Sequence, residues 1–424
     1  MVNVLVEVYG CSANVADAEI ASGLLREAGY NIIDSLNDAD AVVLMTCVVK
    51  TPTERKIIRR IQGISEKGIP LVVAGCMPKT LLGVVEEIDP SASLVGPDDL
   101  SRIPEGVAAA LNKDKVTFLK GSSRERCLLP RLRQSNVIHI APISTGCLGN
   151  CAYCIVKNAR GRLHSFPAES ILEDARRALN EGCREIWVTA EDTACYESDG
   201  IRLPGLIKML SDLPGRFYIR VGMMTPNHAL ESLDDLLEAF SNPKVFKFLH
   251  DPVQSGSDKV LERMRRRYTT ADFRETVTRF RRAFPEASVS TDIICGFPGE
   301  TEDEWRETVE LVKWLRPDAM NISRFWSRPG TEAMFMKPQL PGREIKRRST
   351  ELNELWRQLN YDSASRWVGW EGEILLDGSG HSGTIVGRNY AYKEIALETD
   401  VKPGNFMLVK ASKAGQGFLT GVKK

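Results

Sequence analysis

The stretch TGCLGNCAYCIVKNARG, residues 145–161, decides the fold of the central part of this chain. It places Cys147, Cys151 and Cys154 in a C-x3-C-x2-C array directly after a predicted strand. Three thiolates on one short loop can ligate three irons of a four-iron four-sulfur cluster and leave the fourth iron open. Zinc would need a fourth protein ligand nearby, and the closest histidine, His164, lies on a different predicted element. We therefore predict an iron–sulfur cluster on this loop.

Strands and amphipathic helices alternate outward from this loop through the middle of the chain. The predicted strands are VIHIAPIST, EIWVTAE, FYIRVGMM, FKFLHDPVQ, SVSTDIICGFPG and AMNISRFW. This repetition predicts a partial (β/α)6 barrel over residues 136–362, and barrel chemistry is located at the carboxyl ends of the strands. The open iron of a cluster placed there can chelate the amino and carboxylate groups of S-adenosylmethionine (SAM).

The N-terminal part, residues 1–120, also alternates short apolar runs with helical stretches, which indicates an open α/β domain with a parallel sheet. Its three cysteines, Cys11, Cys47 and Cys76, each follow a predicted strand. Ligands bind at that edge of open α/β sheets, so the three thiols can form a second metal site. Free core cysteines are common, and position alone leaves that alternative open.

Three domains are predicted in all, because the composition changes twice. The polar, basic segment 121–135 indicates a linker, and a charged helix is predicted over 343–366. From Trp367 onward, five short β-type runs separated by Gly, Asn and Asp predict a small β-barrel over 366–424. The predicted fold class is thus α/β: an open parallel-sheet domain, a partial (β/α)6 barrel and a small β-barrel.

The overall composition excludes some classes of protein. The chain has 424 residues, with 56 Lys and Arg against 56 Asp and Glu, so any nucleic-acid surface must be local. The N-terminus lacks the features of a signal peptide, and no stretch of 18 uncharged apolar residues occurs. We therefore expect a cytoplasmic protein without a membrane partner, whose ten cysteines stay reduced.

The central cysteine array, with Tyr153 before the last cysteine, resembles the radical SAM superfamily. The resemblance implies that Cys147, Cys151 and Cys154 are the catalytic ligands of a 4Fe-4S cluster that cleaves SAM to a 5′-deoxyadenosyl radical. It also implies that Tyr153 contacts the adenine. Three strand ends are similar to SAM-binding motifs, although each alone could be an ordinary strand end: Glu191 in TAEDT, Gln254 and Ser255 in HDPVQSGSD, and Asp292 in DIICGFPGET.

The contexts YGCSANVADAE, LMTCVVKTPTERK and AGCMPKT resemble the three cluster-binding motifs of the methylthiotransferase family. That family joins such a domain to a radical SAM barrel and a C-terminal TRAM module. The resemblance implies an auxiliary 4Fe-4S cluster on Cys11, Cys47 and Cys76. It also implies a methylthio transfer that uses two SAM molecules, an electron donor and a sulfide source. The remaining cysteines are predicted to be non-ligands: Cys127, Cys183, Cys195 and Cys295.

The stretches TAEDTACY and CIVKNARGRLHS are most similar to the archaeal and eukaryotic branch, which acts at C2 of N6-threonylcarbamoyladenosine beside the tRNA anticodon. The alternatives are isopentenyladenosine in tRNA, a ribosomal-protein aspartate, and a non-catalytic RNA-binding iron–sulfur protein. The last would not need a second open-iron cluster.

Basic residues next to aromatic ones can hold phosphates and stack bases. We therefore predict tRNA contacts in the small barrel, in the 263–268 patch and near 346–348. A solvated surface is the simpler alternative. The residues predicted to contact RNA are Arg388, Tyr390, Lys393, Arg265 and Arg266.

Overall fold

The N-terminal domain is an open sheet of six parallel strands with helices packed against it. The computed structural model describes residues 1–121 and 126–424, apart from the side chain of Ser382. The strands are β1 Asn3–Val8, β2 Asn31–Ile33, β3 Ala41–Thr46, β4 Leu71–Gly75, β5 Ser93–Val95 and β6 Thr117–Phe118. The helices are α1 Ser12–Glu27, α2 Thr51–Ser65, α3 Cys76–Thr80, α4 Leu82–Ile88 and α5 Ile103–Leu111. Strands β3 and β4 are buried along their whole length, which explains their continuous apolar runs.

The strand order β2-β1-β3-β4-β5-β6 makes β1, β3 and β4 direct neighbours. Val8 pairs with Met45, and Thr46 pairs with Gly75, so the carboxyl ends of the three strands lie side by side. The predicted parallel sheet is confirmed. Strand β2 was not predicted, because its three residues at the sheet edge form no apolar run.

The central domain contains six parallel strands in two sheets, β13-β10-β7 and β14-β15-β16. A parallel bridge between Ile219 and Val245 joins the two sheets, so the strands form the predicted partial barrel. The strands, including short ones in loops, are β7 Ile138–Pro142, β8 Ser144–Thr145, β9 His164–Ser165, β10 Glu185–Thr189, β11 Glu197–Ser198, β12 Ile201–Arg202, β13 Tyr218–Val221, β14 Phe248–His250, β15 Ser288–Cys295 and β16 Ala319–Arg324.

Helices cover the outside of this barrel and pack on its largest hydrophobic core. Helix α6 Val156–Arg160 instead packs through Ala159 on a core of the N-terminal domain. The helices on the barrel are α7 Ala168–Asn180, α8 Leu203–Ser211, α9 Pro226–Glu231, α10 Leu233–Ser241, α11 Asp258–Arg263, α12 Thr270–Ala283, α13 Glu302–Leu315 and α14 Gly342–Ser365. Helices α12 and α13 begin with capping boxes, in which Thr269 and Thr301 exchange hydrogen bonds with Asp272 and Glu304. These caps satisfy amides that the first helical turn leaves free.

The C-terminal domain is a closed five-stranded barrel in the order β17-β18-β19-β21-β20, as the short β-type runs predicted. Its strands are β17 Glu371–Ser379, β18 Ile385–Arg388, β19 Glu394–Leu397, β20 Phe406–Ala414 and β21 Leu419–Lys423. Within the described parts of the chain, no helix is long and apolar enough to cross a membrane.

The predicted linker over 121–135 lies partly outside the described residues, and arginine side chains in its described part are buried. Arg126 is 1% exposed, and its Nε donates to Asp17 at 2.8 Å. Arg131 donates to Asp174 of α7 at 3.1 Å. The arginines of this segment thus form buried ion pairs with both the N-terminal domain and the barrel.

Candidate metal centres

The cysteines of the central array surround an opening in a tight loop after β8. The Cys147 amide donates to Gly161 O at 3.2 Å, and the Gly149 amide donates to Cys147 Sγ at 3.2 Å. A Cβ atom at Gly149 would lie 3.3 Å from Cys147 Sγ and 3.6 Å from Cys151 Sγ. The absence of a side chain at Gly149 thus leaves space between sulfur atoms. A cluster can occupy this space.

A buried cation contacts this triad. Arg266 Nη1 lies 3.1 Å from Cys151 Sγ, and its Nε donates to the hydroxyl of Tyr268 at 2.8 Å. Tyr268 in turn donates to Val253 O at 2.9 Å. Burial raises the pKa of the Cys154 thiol to about 12, so a thiolate there requires nearby positive charge. The irons of a cluster, together with Arg266, supply it, and the donor set therefore fits the predicted group.

The N-terminal triad collects at the carboxyl edge of the sheet. Cys11 precedes α1, Cys47 follows β3, and Cys76 begins α3. Burial is the main reason why the pKa of the Cys76 thiol is raised to about 12, and the charges of Cys47 and Cys11 raise it further. The three thiols therefore lie near one another. At Gly10, where φ is +129°, a Cβ atom would lie 2.7 Å from Cys47 Cβ. Only glycine permits this close approach.

Neither cysteine triad has the geometry of a site for one ion. Among the described residues, a single group of Cys, His and acidic ligand atoms converges within 4.8 Å, and it contains none of the six predicted cluster cysteines. A four-iron cluster spans more space than one ion, and three thiolates are its usual protein ligands. The wider spacing of both triads therefore fits a cluster.

Arg160, at the end of α6, lies between the two triads. Its Nη2 donates to Asn14 at 2.8 Å and to Asp17 at 2.9 Å, both in α1. Its Nε lies 3.4 Å from a carboxylate oxygen of Glu191, in the barrel. The charge of Arg160 also lowers the pKa of Cys76 against the effect of burial. Sequence reasoning missed this residue, although it lies shortly after Cys154 in the loop quoted first.

The residues predicted to bind SAM have different surroundings at the strand ends. Tyr153 packs edge-on against Phe297, with ring centroids 6.4 Å apart. The Asp292 carboxylate accepts from Asn321 Nδ2 at 2.6 Å and contacts His250 Nε2 at 3.2 Å. Sequence reasoning did not select His250 or Asn321.

Three other predicted SAM contacts differ in accessibility. The Gln254 amide donates to Asp292 O at 2.8 Å, which places both at neighbouring strand ends. Glu191 lies beside Arg160. Burial chiefly raises the pKa of Cys147, and the negative charge of Glu191 raises it further. Ser255 is wholly buried and contacts the Thr308 hydroxyl at 3.3 Å. Ser255 therefore supports α13 instead of facing the barrel mouth.

Most of the predicted RNA-contact residues lie in domain interfaces. Arg388 binds Asp377 at 2.7 Å and Glu394 at 3.2 Å. Tyr390 donates to Glu286, and Lys393 pairs with Asp318 of the central domain.

In the 263–268 patch, Arg266 contacts Cys151, whereas Arg265 and Arg267 are exposed. Arg265 pairs with Glu332 at 2.6 Å. Arg347 and Arg348, in the third basic group, pair with Glu302 and Glu300. Acidic, carbonyl or sulfur partners thus already occupy the side chains of Arg266, Arg388, Tyr390 and Lys393, and RNA contacts by these residues stay a prediction.

A different basic surface lies beside the barrel mouth, on α2 and the residue before it. We call it the α2 basic face, and its exposed members are Lys50, Arg55, Lys56 and Arg59. Arg328 Nη1, in the loop after β16, donates to Thr51 at 3.1 Å and holds α2 against the barrel. The charge of Lys50 reaches Asp292 and, with His250 and Asn321, keeps its pKa below the usual value despite burial.

Comparisons with known proteins agree with this geometry. The Radical SAM superfamily matches residues 141–312, and the Uncharacterized protein family UPF0004 matches residues 3–96. The chain is 41% identical to a probable threonylcarbamoyladenosine tRNA methylthiotransferase of Pyrococcus horikoshii, over 99% of both chains. It is 42% identical to one from Methanothermobacter thermautotrophicus, again over 99% of both. The human threonylcarbamoyladenosine tRNA methylthiotransferase is 34% identical, over 98% of this chain and 73% of the human protein.

Solved structures share the fold at low sequence identity. The methyltransferase TsrM from Kitasatospora setae, with cobalamin and a 4Fe-4S cluster bound, has a TM-score of 0.57 at 14% identity, covering 78% of this chain and 73% of TsrM. The SAM radical enzyme OxsB, with aqua-cobalamin and SAM bound, has a TM-score of 0.55 at 13% identity, covering 84% of this chain and 56% of OxsB. These similarities support the radical SAM fold alone.

Proposed function

This chain belongs to the threonylcarbamoyladenosine tRNA methylthiotransferases, a family of radical SAM enzymes, and we propose that each cysteine triad holds one 4Fe-4S cluster. The cofactors of the enzyme are SAM and iron–sulfur clusters. The observation that carries the proposal is the presence of two separate sets of three thiols, each at the carboxyl edge of a parallel sheet. Three ligands leave one iron of each cluster open.

The reaction is the addition of a methylthio group to C2 of N6-threonylcarbamoyladenosine beside the tRNA anticodon. When bound, the barrel cluster supplies an electron that cleaves SAM, and the N-terminal cluster supplies an open iron for sulfur. An electron donor and a sulfide source are therefore required partners. A purine C–H group has no acidic proton and no leaving group, which is why polar substitution does not suffice. We place this reaction in the cytoplasm.

The protein's own residues position these parts. Arg266 holds positive charge against Cys151, and such contacts to cluster sulfur atoms tune reduction potential. Arg160 fixes α1 of the N-terminal domain relative to Glu191 of the barrel. Tyr153, Gln254 and Asp292 stand at the barrel mouth, where we propose that they contact SAM.

The α2 basic face is our proposed tRNA contact near the chemistry. Lys50, Arg55, Lys56 and Arg59 have no ion-pair partner among the described residues and lie beside the mouth of the barrel. Phosphate contacts release counterions, so tRNA binding should weaken steeply with added salt. The small barrel remains a second candidate surface, through residues other than those in the domain interface.

The first experiment separates the two clusters. Anaerobically reconstituted protein should hold about eight irons, as expected for two four-iron clusters. Replacing Cys147, Cys151 and Cys154 by Ala should leave about half of the iron and abolish SAM cleavage. Cys183→Ala is the matched control, because that buried thiol is remote from both triads. SAM cleavage by the triple variant would contradict the assignment.

The second experiment tests the N-terminal triad. With Cys11, Cys47 and Cys76 replaced by Ala, reductive cleavage of SAM to 5′-deoxyadenosine should continue, because the barrel cluster remains. The methylthio product should vanish, because the site for sulfur is lost. Methylthiolation by this variant would show that these cysteines are structural thiols.

The third experiment identifies the substrate by mass spectrometry of nucleosides from tRNA incubated with enzyme, SAM, reductant and sulfide. One methylthio group should appear on N6-threonylcarbamoyladenosine and not on unmodified adenosine. Modification of isopentenyladenosine alone, or of a ribosomal protein alone, would overturn the substrate. An RNA-binding protein without activity would yield no product and no SAM cleavage.

A further inference from the structure

Three metal-binding side chains converge near the barrel mouth, outside both cysteine triads. Asp192 and Cys195 follow β10, whereas His228 lies on α9, after β13. Cys195 Sγ lies 2.8 Å from His228 Nδ1 and 3.3 Å from Asp192 Oδ2. His228 Nδ1 lies 2.9 Å from the same Asp192 oxygen. This is the one group of Cys, His and acidic residues within the described chain whose ligand atoms all lie within 4.8 Å of one another.

Hydrogen bonds alone account poorly for this convergence. His228 Nδ1 carries at most one proton, yet it contacts Cys195 Sγ, Asp192 Oδ2 and, at 3.0 Å, the hydroxyl of Thr225. One N–H group can donate well to only one of these atoms at a time. A sulfur, a nitrogen and an oxygen that meet at one point are the arrangement of a coordination sphere.

The surrounding backbone orients the carboxylate for this role. Asp192 Oδ1 accepts from the amides of Ala194 and Thr225, both at 3.2 Å, whereas Oδ2 faces the sulfur and the imidazole and also accepts from the Thr225 hydroxyl. The Thr193 amide donates to Met223 O at 2.9 Å and ties the two strand-end loops together. Such outer contacts hold the ligands of metal sites in place.

A second, independent observation is an unpartnered acid nearby. Asp251 is wholly buried, and neither of its carboxylate oxygens has a hydrogen-bond partner. Burial chiefly raises the pKa of Asp251, the charge of Arg266 lowers it, and the charge of Asp192 raises it further. A cation beside Asp192 would offset the negative charge of both the Asp192 and the Asp251 carboxylate.

We propose that Asp192, Cys195 and His228 bind one zinc-type divalent cation, distinct from both clusters, with a fourth position open to water. The mixed S, N and O donor set suits Zn²⁺, which prefers four tetrahedral ligands. His228 keeps 20% of its side chain exposed, so solvent can reach the open position. Binding releases the Cys195 thiol proton to solvent. This proposal replaces the sequence-based prediction that Cys195 is a non-ligand, since the contact with His228 is visible only in the fold.

The test uses the anaerobic holoenzyme with both clusters assembled, freed of loose metal on a chelating resin and then titrated with Zn²⁺ alone. We expect one zinc per chain beyond the iron content. Cys195→Ala and His228→Ala should each weaken zinc binding by more than the roughly 10–100-fold that loss of an outer-shell partner costs. Asp251→Asn should weaken it less. Cys183→Ala is the matched control and should bind zinc as the wild type does.

X-ray absorption at the zinc edge of the wild-type holoenzyme provides a readout that does not depend on any variant folding. It should show one sulfur at about 2.3 Å with nitrogen and oxygen neighbours at about 2.0–2.1 Å. Two or more sulfurs per zinc would place the metal in a cluster triad and overturn the proposal. Equal zinc affinity in wild type, Cys195→Ala and His228→Ala, or no bound zinc at all, would also overturn it.

Discussion

At the scale of single residues, Gly149 keeps open the space that we assign to the barrel cluster. Gly149→Ala would place a Cβ atom 3.3 Å from Cys147 Sγ and 3.6 Å from Cys151 Sγ. We expect the variant to lose part of its iron and most of its SAM cleavage, because the methyl group competes with the cluster for space. Iron content and 5′-deoxyadenosine yield measure this effect. Gly83→Ala, a helical position where a Cβ atom meets nothing within 4 Å, is the control. Full iron and unchanged cleavage in Gly149→Ala would refute the argument.

The six cysteines that we predict as cluster ligands could be chosen from the sequence, whereas their charged neighbours could not. The spacing of Cys147, Cys151 and Cys154 is a local property, and the other three cysteines were chosen because their sequence contexts resemble cluster-binding motifs. Arg266 was assigned to RNA because it stands in a run of basic residues. The backbone reverses at Arg265, where φ is +57°, and the chain places Arg266 against Cys151 instead. No pattern of residue types reveals such a reversal.

At the scale of elements, the small barrel is attached to the central domain through a buried ion pair. Lys393, just before β19, pairs with Asp318, just before β16. Asp318 also accepts from the Ser363 hydroxyl at 2.5 Å and the Val289 amide at 2.8 Å. Lys393→Met should lower the free energy of unfolding by about 3–5 kcal/mol, because it leaves a buried carboxylate without its cation. Chemical denaturation measures this loss.

An exposed lysine serves as the control for that substitution. Lys410 pairs with Glu371 at 3.0 Å on the surface of the small barrel, and exposed pairs contribute at most about 1 kcal/mol. Lys410→Met should therefore leave the unfolding midpoint nearly unchanged. If both variants lose the same stability, the Asp318 pair has no special role in attaching the small barrel.

The same pair predicts a dependence of stability on pH. Burial raises the pKa of Asp318, but Lys393, Ser363 and Val289 outweigh burial and hold the pKa below its usual value. The unfolded chain therefore binds this proton more readily than the folded chain. The stabilisation is present above the unfolded pKa, about 3.9, and is lost as pH falls through the folded value. Melting temperatures should show this acid loss in the wild type and a smaller one in Lys393→Met.

Long elements were predictable, and short ones were not. The six barrel strands and the five strands of the small barrel were located from apolar runs and turn residues. Strand β2, with three residues, and the loop strands β8, β9, β11 and β12, with two each, bury too little for a pattern to appear. Tertiary packing decides which face of the small barrel meets the central domain, and the sequence pattern does not reveal this packing. The sequence therefore predicts RNA contacts for Arg388 and Lys393, which face other parts of the protein.

At the scale of the whole molecule, Arg160 connects the N-terminal domain to the barrel, the two domains to which we assign the proposed clusters. In Arg160→Met, Asp17 keeps Arg126 as its partner, while Glu191 loses its cation and α1 loses a contact with the barrel. We expect both clusters to assemble and SAM cleavage to continue. Methylthio product should fall by about 100-fold, because small misplacements of reacting groups carry penalties of that order. The ratio of product to 5′-deoxyadenosine measures this uncoupling.

Arg306→Met is the control, because this exposed arginine lies on α13 and pairs with Asp303 at 3.2 Å. An equal fall in product and in 5′-deoxyadenosine for Arg160→Met would show that Arg160 supports the barrel cluster alone. An unchanged ratio with full activity would show that the domains stay aligned without it.

The two triads differ in how far apart their members lie along the chain. Cys147, Cys151 and Cys154 share one loop, so the chain can gather them as soon as that loop has been synthesised. Cys11, Cys47 and Cys76 meet only after β1, β3 and β4 have paired as neighbours, and distant pairings form slowly. The N-terminal site is thus a product of folding, and iron delivered before the sheet closes finds three scattered thiols. The proposed N-terminal cluster therefore implies an order of maturation, in which the sheet forms first and the cluster is inserted afterwards.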